Sequence, residues 1–218
     1  MKRPILAAAL LAVAAIASAP VIAQPSRDHD YDPPIPGTYR LPVIKPAAGG
    51  SVVDSFGRDQ NLGDLTRGKA TVLSFIYTRC ASARACPYAT GVLNQLHLAS
   101  QRDEKLAEGM RLVSLSFDPA MDTPERMAAY SSWAAKRDAS ADWHFLTTRA
   151  ERDLAPILEA YNQAVDRRKD PGHPLGPLNH TLRVYLIDRA GQIRNIYSSG
   201  TLDVRLVLAD VRTLLAEN

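Results

Sequence analysis

The chain has 218 residues, 46% of them hydrophobic and 22% charged, with a formal net charge of +3. That length holds one domain plus at most an extension, the ordinary charge fraction excludes wholesale disorder, and two cysteines exclude a disulfide-dense mini-scaffold. A charge of +3 is too small to mark a nucleic-acid surface, so no nucleic-acid partner is expected.

Residues 1–23 hold 18 hydrophobic residues and no acid. Lys2 and Arg3 form a positive start, Ile5 to Ala17 is an unbroken apolar run of 13 residues, and Val21-Ile22-Ala23 places small residues before Gln24. This is the layout of a secretory signal peptide, with an apolar run too short to span a bilayer comfortably. Cleavage removes Lys2 and Arg3 and lowers the formal charge to +1, so the basic surplus predicts no partner. An uncleaved segment would instead be an anchor, the only membrane contact expected. Either way the chain is exported, to the periplasm or the outer face of the cytoplasmic membrane, where a disulfide can persist.

Residues 24–48 carry Pro25, Pro33, Pro34, Pro36, Pro42 and Pro46. Proline fixes φ and removes donors, so this stretch reads as an extended tether that wraps or spaces. One domain is expected over 49–218. Ser51 to Asp54 with a turn at Gly57 predicts a short hairpin. Ala70 to Tyr77 is a near-continuous run of β-formers, the pattern of a strand buried on both faces. Val92, Leu96 and Ala99 then recur at helical spacing, and Arg111 to Phe117 is a second central strand. Asp122-Thr123-Pro124-Glu125 reads as a helix start with Asp122 as cap, followed by Met127 and Tyr130 on one face. Trp143 to Leu146 is a short strand. Leu154, Ile157, Leu158 and Tyr161 give a helix starting near Asp153, with Pro156 in its first turn. Thr181–Ile187 and Ile193–Tyr197 flank Gly191 as a hairpin, and Thr201 caps a last helix whose Val204, Leu208, Val211 and Leu215 face the core. The alternation predicts an α/β sheet with helices on both faces, with a site at the strand end after Tyr77.

That strand end carries Tyr77-Thr78-Arg79-Cys80-Ala81-Ser82-Ala83-Arg84-Ala85-Cys86-Pro87-Tyr88. Cys86 before Pro87 is a helix start, where the partial positive charge of the helix end lowers a thiol pKa; Arg79 and Arg84 push the same way. Such a pair suits disulfide exchange or soft-metal binding, copper(I) above all; the structural alternative is a plain disulfide or two unrelated buried thiols.

FIYTRC at 75–80, CPYATGVLNQL at 86–96, SLSFDPAMDTPERMAAY at 114–130, WHFLTT at 143–148 and NHTLRVYLIDRAGQIRNIY at 179–197, in this order, resemble the SCO/SenC family of thioredoxin-like proteins. The resemblance implies a thioredoxin-like fold: a central mixed sheet, helices on both faces and an N-terminal β-hairpin extension. It also implies copper binding and a role in assembling the copper centre of a respiratory oxidase, as metallochaperone or as thiol reductant of the receiving subunit. The implied ligands are Cys80, Cys86 and His180; Asn179 stands where the family often has Asp. The family's cysteines are spaced C-x3-C, whereas these are C-x5-C. A pair six residues apart on one helix is rotated by about 240° and cannot chelate, so residues 81–85 are expected to loop out and leave Cys86 at the helix start.

The other candidates read as structural first. His173 reads as a solvated loop residue, with a substitute or fourth ligand as its alternative, His97 is a helix residue, and His144 and His29 receive no role. Asp118 and Asp122 shape a turn and cap a helix, or tune the site. Tyr77 and Tyr88 shield a metal or pack as walls, and Arg167-Arg168-Lys169 is a solvated run that can meet a partner. Three functions remain open: a copper-handling assembly factor, a metal-independent thiol-disulfide oxidoreductase using Cys80 and Cys86, and an interaction module with a structural disulfide. Cys80, at the strand end, is the expected nucleophile.

Overall fold

The computed structural model describes residues 31–83, 85–134 and 140–217. The expected signal peptide and the start of the tether lie outside these residues, as do His29 and Arg84. Three parallel strands form the middle of the sheet: β4 (Ala70–Ile76), β5 (Met110–Ser116) and β6 (Asp142–Thr147). All seven residues of β4 are buried, as a strand covered on both faces must be. β9 (Arg183–Ile187) runs antiparallel beside β4, and β10 (Gln192–Ser198) pairs with β9 across the turn at Gly191, whose φ is +79°. The two-residue strand β1 (Lys45–Pro46) closes that edge, where a proline costs no ladder bond. On the other edge lie β2 (Ser51–Asp54) and the polar β3 (Asp59–Asn61), the expected hairpin. The eight-stranded order is β1-β10-β9-β4-β5-β6-β2-β3.

Alternate residues along the strands feed two cores, because successive side chains of a strand point to opposite faces. Val72, Leu112 and Leu186 pack with α2 (Cys86–Ser100), α3 (Glu104–Gly109) and α6 (Val204–Ala216). Leu73, Val113 and Tyr185 pack with α1 (Leu62–Leu65), α4 (Pro124–Ser131) and α5 (Glu151–Ala160). Helices therefore cover both faces. Among the described residues, no helix is long and apolar enough to cross a membrane.

Several local expectations change. The cap of α4 is Thr123, whose side chain accepts from the Arg126 N–H; Asp122 is committed elsewhere. The cap of α6 is Asp203 rather than Thr201. Pro156 lies inside α5, which starts at Glu151 rather than near Asp153. The fully buried residues of α6 include Val207, Val211 and Leu214, and the expected Val204, Leu208 and Leu215 pack against the same core while half-buried. The proline-rich segment crosses this helix: the Gly37 N–H donates to Thr213, and the Tyr39 hydroxyl donates to Asp210 at 2.5 Å. Asp210, 1% exposed, also accepts from Tyr197 at 2.6 Å and Asn195 at 2.8 Å. Residues 32–48 thus wrap the domain instead of only spacing it. The strand expected from Thr181 starts at Arg183, and His180 belongs to a separate hairpin of β7 (Val165–Arg167) and β8 (Leu178–His180).

Candidate metal centre

β4 ends at Ile76, and the chain turns at once, with the Cys80 N–H donating to the Tyr77 carbonyl at 3.2 Å. Two buried carboxylates fasten this turn. Asp122, fully buried, accepts from the Thr78 N–H at 3.0 Å, the Thr78 hydroxyl at 2.5 Å and the Ser116 hydroxyl at 2.6 Å. Asp118 pairs with the Arg79 guanidinium at 2.8 Å. The exits of β4 and β5 are thereby locked together, two residues before the first thiol. α2 starts at Cys86, so the described residues 81–83 and 85 lie outside the helix and the two sulfurs are free to meet.

The third group comes from the far side. His180 ends β8, and the loop before it is clamped to β4 by the Tyr77 hydroxyl, which donates to the Leu175 carbonyl at 3.2 Å. Gly176 has φ +95°, and any Cβ there would collide with the Tyr77 hydroxyl, so only glycine allows the clamp. Tyr77 stands perpendicular to the imidazole at 5.4 Å between ring centres, and Phe117 packs against it at 5.0 Å. His180 Nε2 then lies 3.4 Å from Cys86 Sγ and 3.9 Å from Cys80 Sγ, and the three donor atoms lie within 4.8 Å of one another.

Two thiols and an imidazole suit a soft metal. Bonds of about 2.0–2.3 Å around one ion at trigonal angles separate the donors by about 3.8–4.0 Å. The observed spacing needs shifts of only tenths of an ångström to a little under one, so the residues present fit copper. The support behind the ring is thin. His180 Nδ1 is buried with no hydrogen-bond partner, and Asn179 Oδ1 instead accepts from Arg168 at 3.4 Å. The imidazole is oriented by aromatic packing instead of the usual acceptor behind a ligating histidine.

The thiols divide their roles in the opposite sense to the helix-end expectation. Cys80 is lowered to about 4, first because the Cys86 thiol donates to it and then because His180 does. Cys86, only 3% exposed, is pushed well up: its proton is held by the Cys80 thiolate, and burial disfavours a second charge. The half-exposed Cys80 is therefore the thiolate and Cys86 the proton donor. Alkylation of the reduced, metal-free protein by iodoacetamide should run at Cys80 with a rate nearly flat from about pH 9 to about pH 5, falling only below that. A rate that drops tenfold per unit below the ordinary thiol value of 9.0 would contradict the assignment.

The remaining candidates separate cleanly. His173 stays in its loop, its Nδ1 accepting from the Leu175 N–H at 3.1 Å, and does not join the donor group. His97 is buried against Trp143, and burial lowers the pKa of His144 within β6. Tyr77 lines the site, and burial raises its pKa to about 12; Tyr88 points away, donating to the Leu202 carbonyl at 2.5 Å. Arg167 pairs with Glu151 on the surface. The part played by Phe117 escaped sequence reasoning, although its place at the end of an apolar strand beside the β4 exit was a usable signal.

Thiols at a strand–helix junction, faced by an imidazole from a hairpin beside the same sheet, give a thioredoxin-like protein a sulfur–nitrogen donor group that could hold a metal. The model of the SCO1/SenC family matches residues 51–216, and the chain belongs to that family. Three solved structures share its fold. BsSco, a member of the Sco family of cytochrome c oxidase assembly proteins in which a disulfide switch was identified, is 18% identical with a TM-score of 0.64 over 83% of this chain and 100% of that one. Bradyrhizobium japonicum ScoI with copper bound is 22% identical with a TM-score of 0.60, covering 77% and 98%. Yeast Sco1 with copper bound is 17% identical with a TM-score of 0.60, covering 81% and 92%.

Proposed function

We propose that this protein takes one copper ion on Cys80, Cys86 and His180 and serves the assembly of a respiratory oxidase, delivering the ion to a receiving subunit outside the cytoplasm. The observation that carries this is the convergence of three soft donors within 4.8 Å from three separate elements of the chain. Copper in solved relatives of the same fold supports it. The signal-like residues 1–23 support export to the periplasm or the outer membrane face. Titration of the reduced protein with copper(I) should show one tightly held equivalent, whereas no binding would overturn the reading. The second reading, a thiol-disulfide oxidoreductase, is favoured by one observation: a half-exposed low-pKa Cys80 beside a protonated Cys86, the arrangement an attacking and a resolving thiol need. A pair that reduces a partner disulfide equally well with and without copper would establish it over the first.

A further inference from the structure

The end of α5 grips the chain that follows His180. Asn162 has φ +52°; its N–H donates to the Glu159 carbonyl at 2.9 Å, and the Gln163 N–H reaches back to the Leu158 carbonyl at 2.8 Å. This pair of bonds around a left-handed residue is the Schellman closure of a helix. It turns three consecutive residues toward every second residue of the facing chain. The Tyr185 hydroxyl donates to the Tyr161 carbonyl at 2.6 Å, the Arg183 guanidinium donates to the Asn162 carbonyl, and the Gln163 amide donates to the Thr181 carbonyl at 2.7 Å. The last of these rungs adjoins His180.

Gln163 is the anomaly among them. It is 3% exposed, and its Oε1 is buried without a partner among the described residues. A stranded amide oxygen is destabilising, and an apolar side chain of the same length would avoid it. What the amide supplies is a donor: facing a carbonyl, its bonding end must be the NH2. The carbonyl it holds needs holding. On the near side, His180 is paired with Val165 in the β7–β8 ladder, and the Tyr77 clamp fixes the loop before it. On the far side, Thr181 and Leu182 belong to neither β8 nor β9.

We infer that Gln163 is a positioning residue for His180, and that its hold on the Thr181 carbonyl sets how far the imidazole reaches toward the two thiols. This role rests on the copper site proposed above and deepens it, adding a residue that lies outside the donor group. The ring has no acceptor at Nδ1, so its place depends on its own backbone and on Tyr77 and Phe117. A displacement of about 1 Å is enough to spoil such a site.

Gln163→Met keeps the length and loses the donor; Gln163→Leu is the second variant and should behave alike. Tyr185→Phe is the control, because it removes another rung of the same ladder, farther from His180. In the reduced, metal-free protein, proton NMR should show nuclear Overhauser contacts between the His180 ring and the Cys86 β-protons, whose sulfur lies 3.4 Å from Nε2. Both Gln163 variants should lose these contacts, and Tyr185→Phe should keep them. Copper(I) affinity, read by chelator competition, should fall about 10–100-fold in the Gln163 variants and stay within about twofold in Tyr185→Phe. Tyr185→Phe should nevertheless melt below Gln163→Met, which removes the stranded Oε1 along with the bond. Unchanged Overhauser contacts in both Gln163 variants, or an equal loss in Tyr185→Phe, would overturn this role. The copper reading is tested separately: a wild-type protein that takes no copper refutes it, while the loss of the contacts in the Gln163 variants keeps the role of Gln163.

Discussion

His180→Ala is expected to weaken copper(I) binding by more than about 100-fold, since even residues behind a ligand are worth 10–100-fold. Cys80→Ser and Cys86→Ser should abolish tight binding altogether, because a hydroxyl is a poor ligand for a soft ion. The three variants should keep the far-UV circular dichroism of the parent, since each removes one side chain without breaking a backbone hydrogen bond; among the described residues His180 packs on Tyr77 and Phe117. Competition with a copper(I) chelator of known affinity measures the loss. Undiminished affinity in His180→Ala would mean that the imidazole, although its Nε2 lies 3.4 and 3.9 Å from the two sulfurs, is not a ligand.

The largest expected effect on stability lies at Asp122. Alanine there would leave the Thr78 N–H, the Thr78 hydroxyl and the Ser116 hydroxyl without their acceptor at a fully buried position. Each stranded donor costs about 1–3 kcal/mol, less where a hydroxyl rotates to another partner, so a total of about 3–4 kcal/mol is expected. For a domain of this length that lowers Tm by about 10 °C. Asp122→Asn keeps one acceptor oxygen and should lose about half as much. Thermal melts followed by circular dichroism test both, and a Tm for Asp122→Ala within about 2 °C of wild type would contradict the fastening role. Copper affinity should fall as well, because Thr78 is two residues from Cys80.

The contrast between what could and could not be read from the chain has physical causes. ATVLSFI and RLVSLSF are apolar without interruption, and that composition fits a strand covered on both faces whatever its partners, so β4 and β5 were legible at once. Once the resemblance put both cysteines in one site, the C-x5-C spacing required a loop before Cys86, and α2 does begin there. The β7–β8 hairpin was not legible: Val-Asp-Arg and Leu-Asn-His are short and polar, without a period to detect. Asp122 was misplaced as a cap because an Asp–Thr pair before a proline offers two caps, and only the tertiary pull of Thr78 and Ser116 decides between them. The sequence named Cys80 as the nucleophile but set no order of thiol pKa values, because that order turns on the folded chain. A helix end favours Cys86, but burial and a shared proton depend on how deep each sulfur sits, and the 3% exposure of Cys86 outweighs the helix end. His180 could be matched to the site through its motif, but its approach through a clamp between Tyr77 and Gly176 is a property of the folded chain.

X-ray absorption spectroscopy of the protein loaded with one equivalent of copper(I) tests the central claim most directly. Two sulfur scatterers and one nitrogen scatterer with an imidazole signature are expected, with the nitrogen lost in His180→Ala and a sulfur lost in Cys80→Ser. A copper environment of oxygen and nitrogen alone, or one unchanged by either substitution, would contradict the assignment of Cys80, Cys86 and His180 as the metal site.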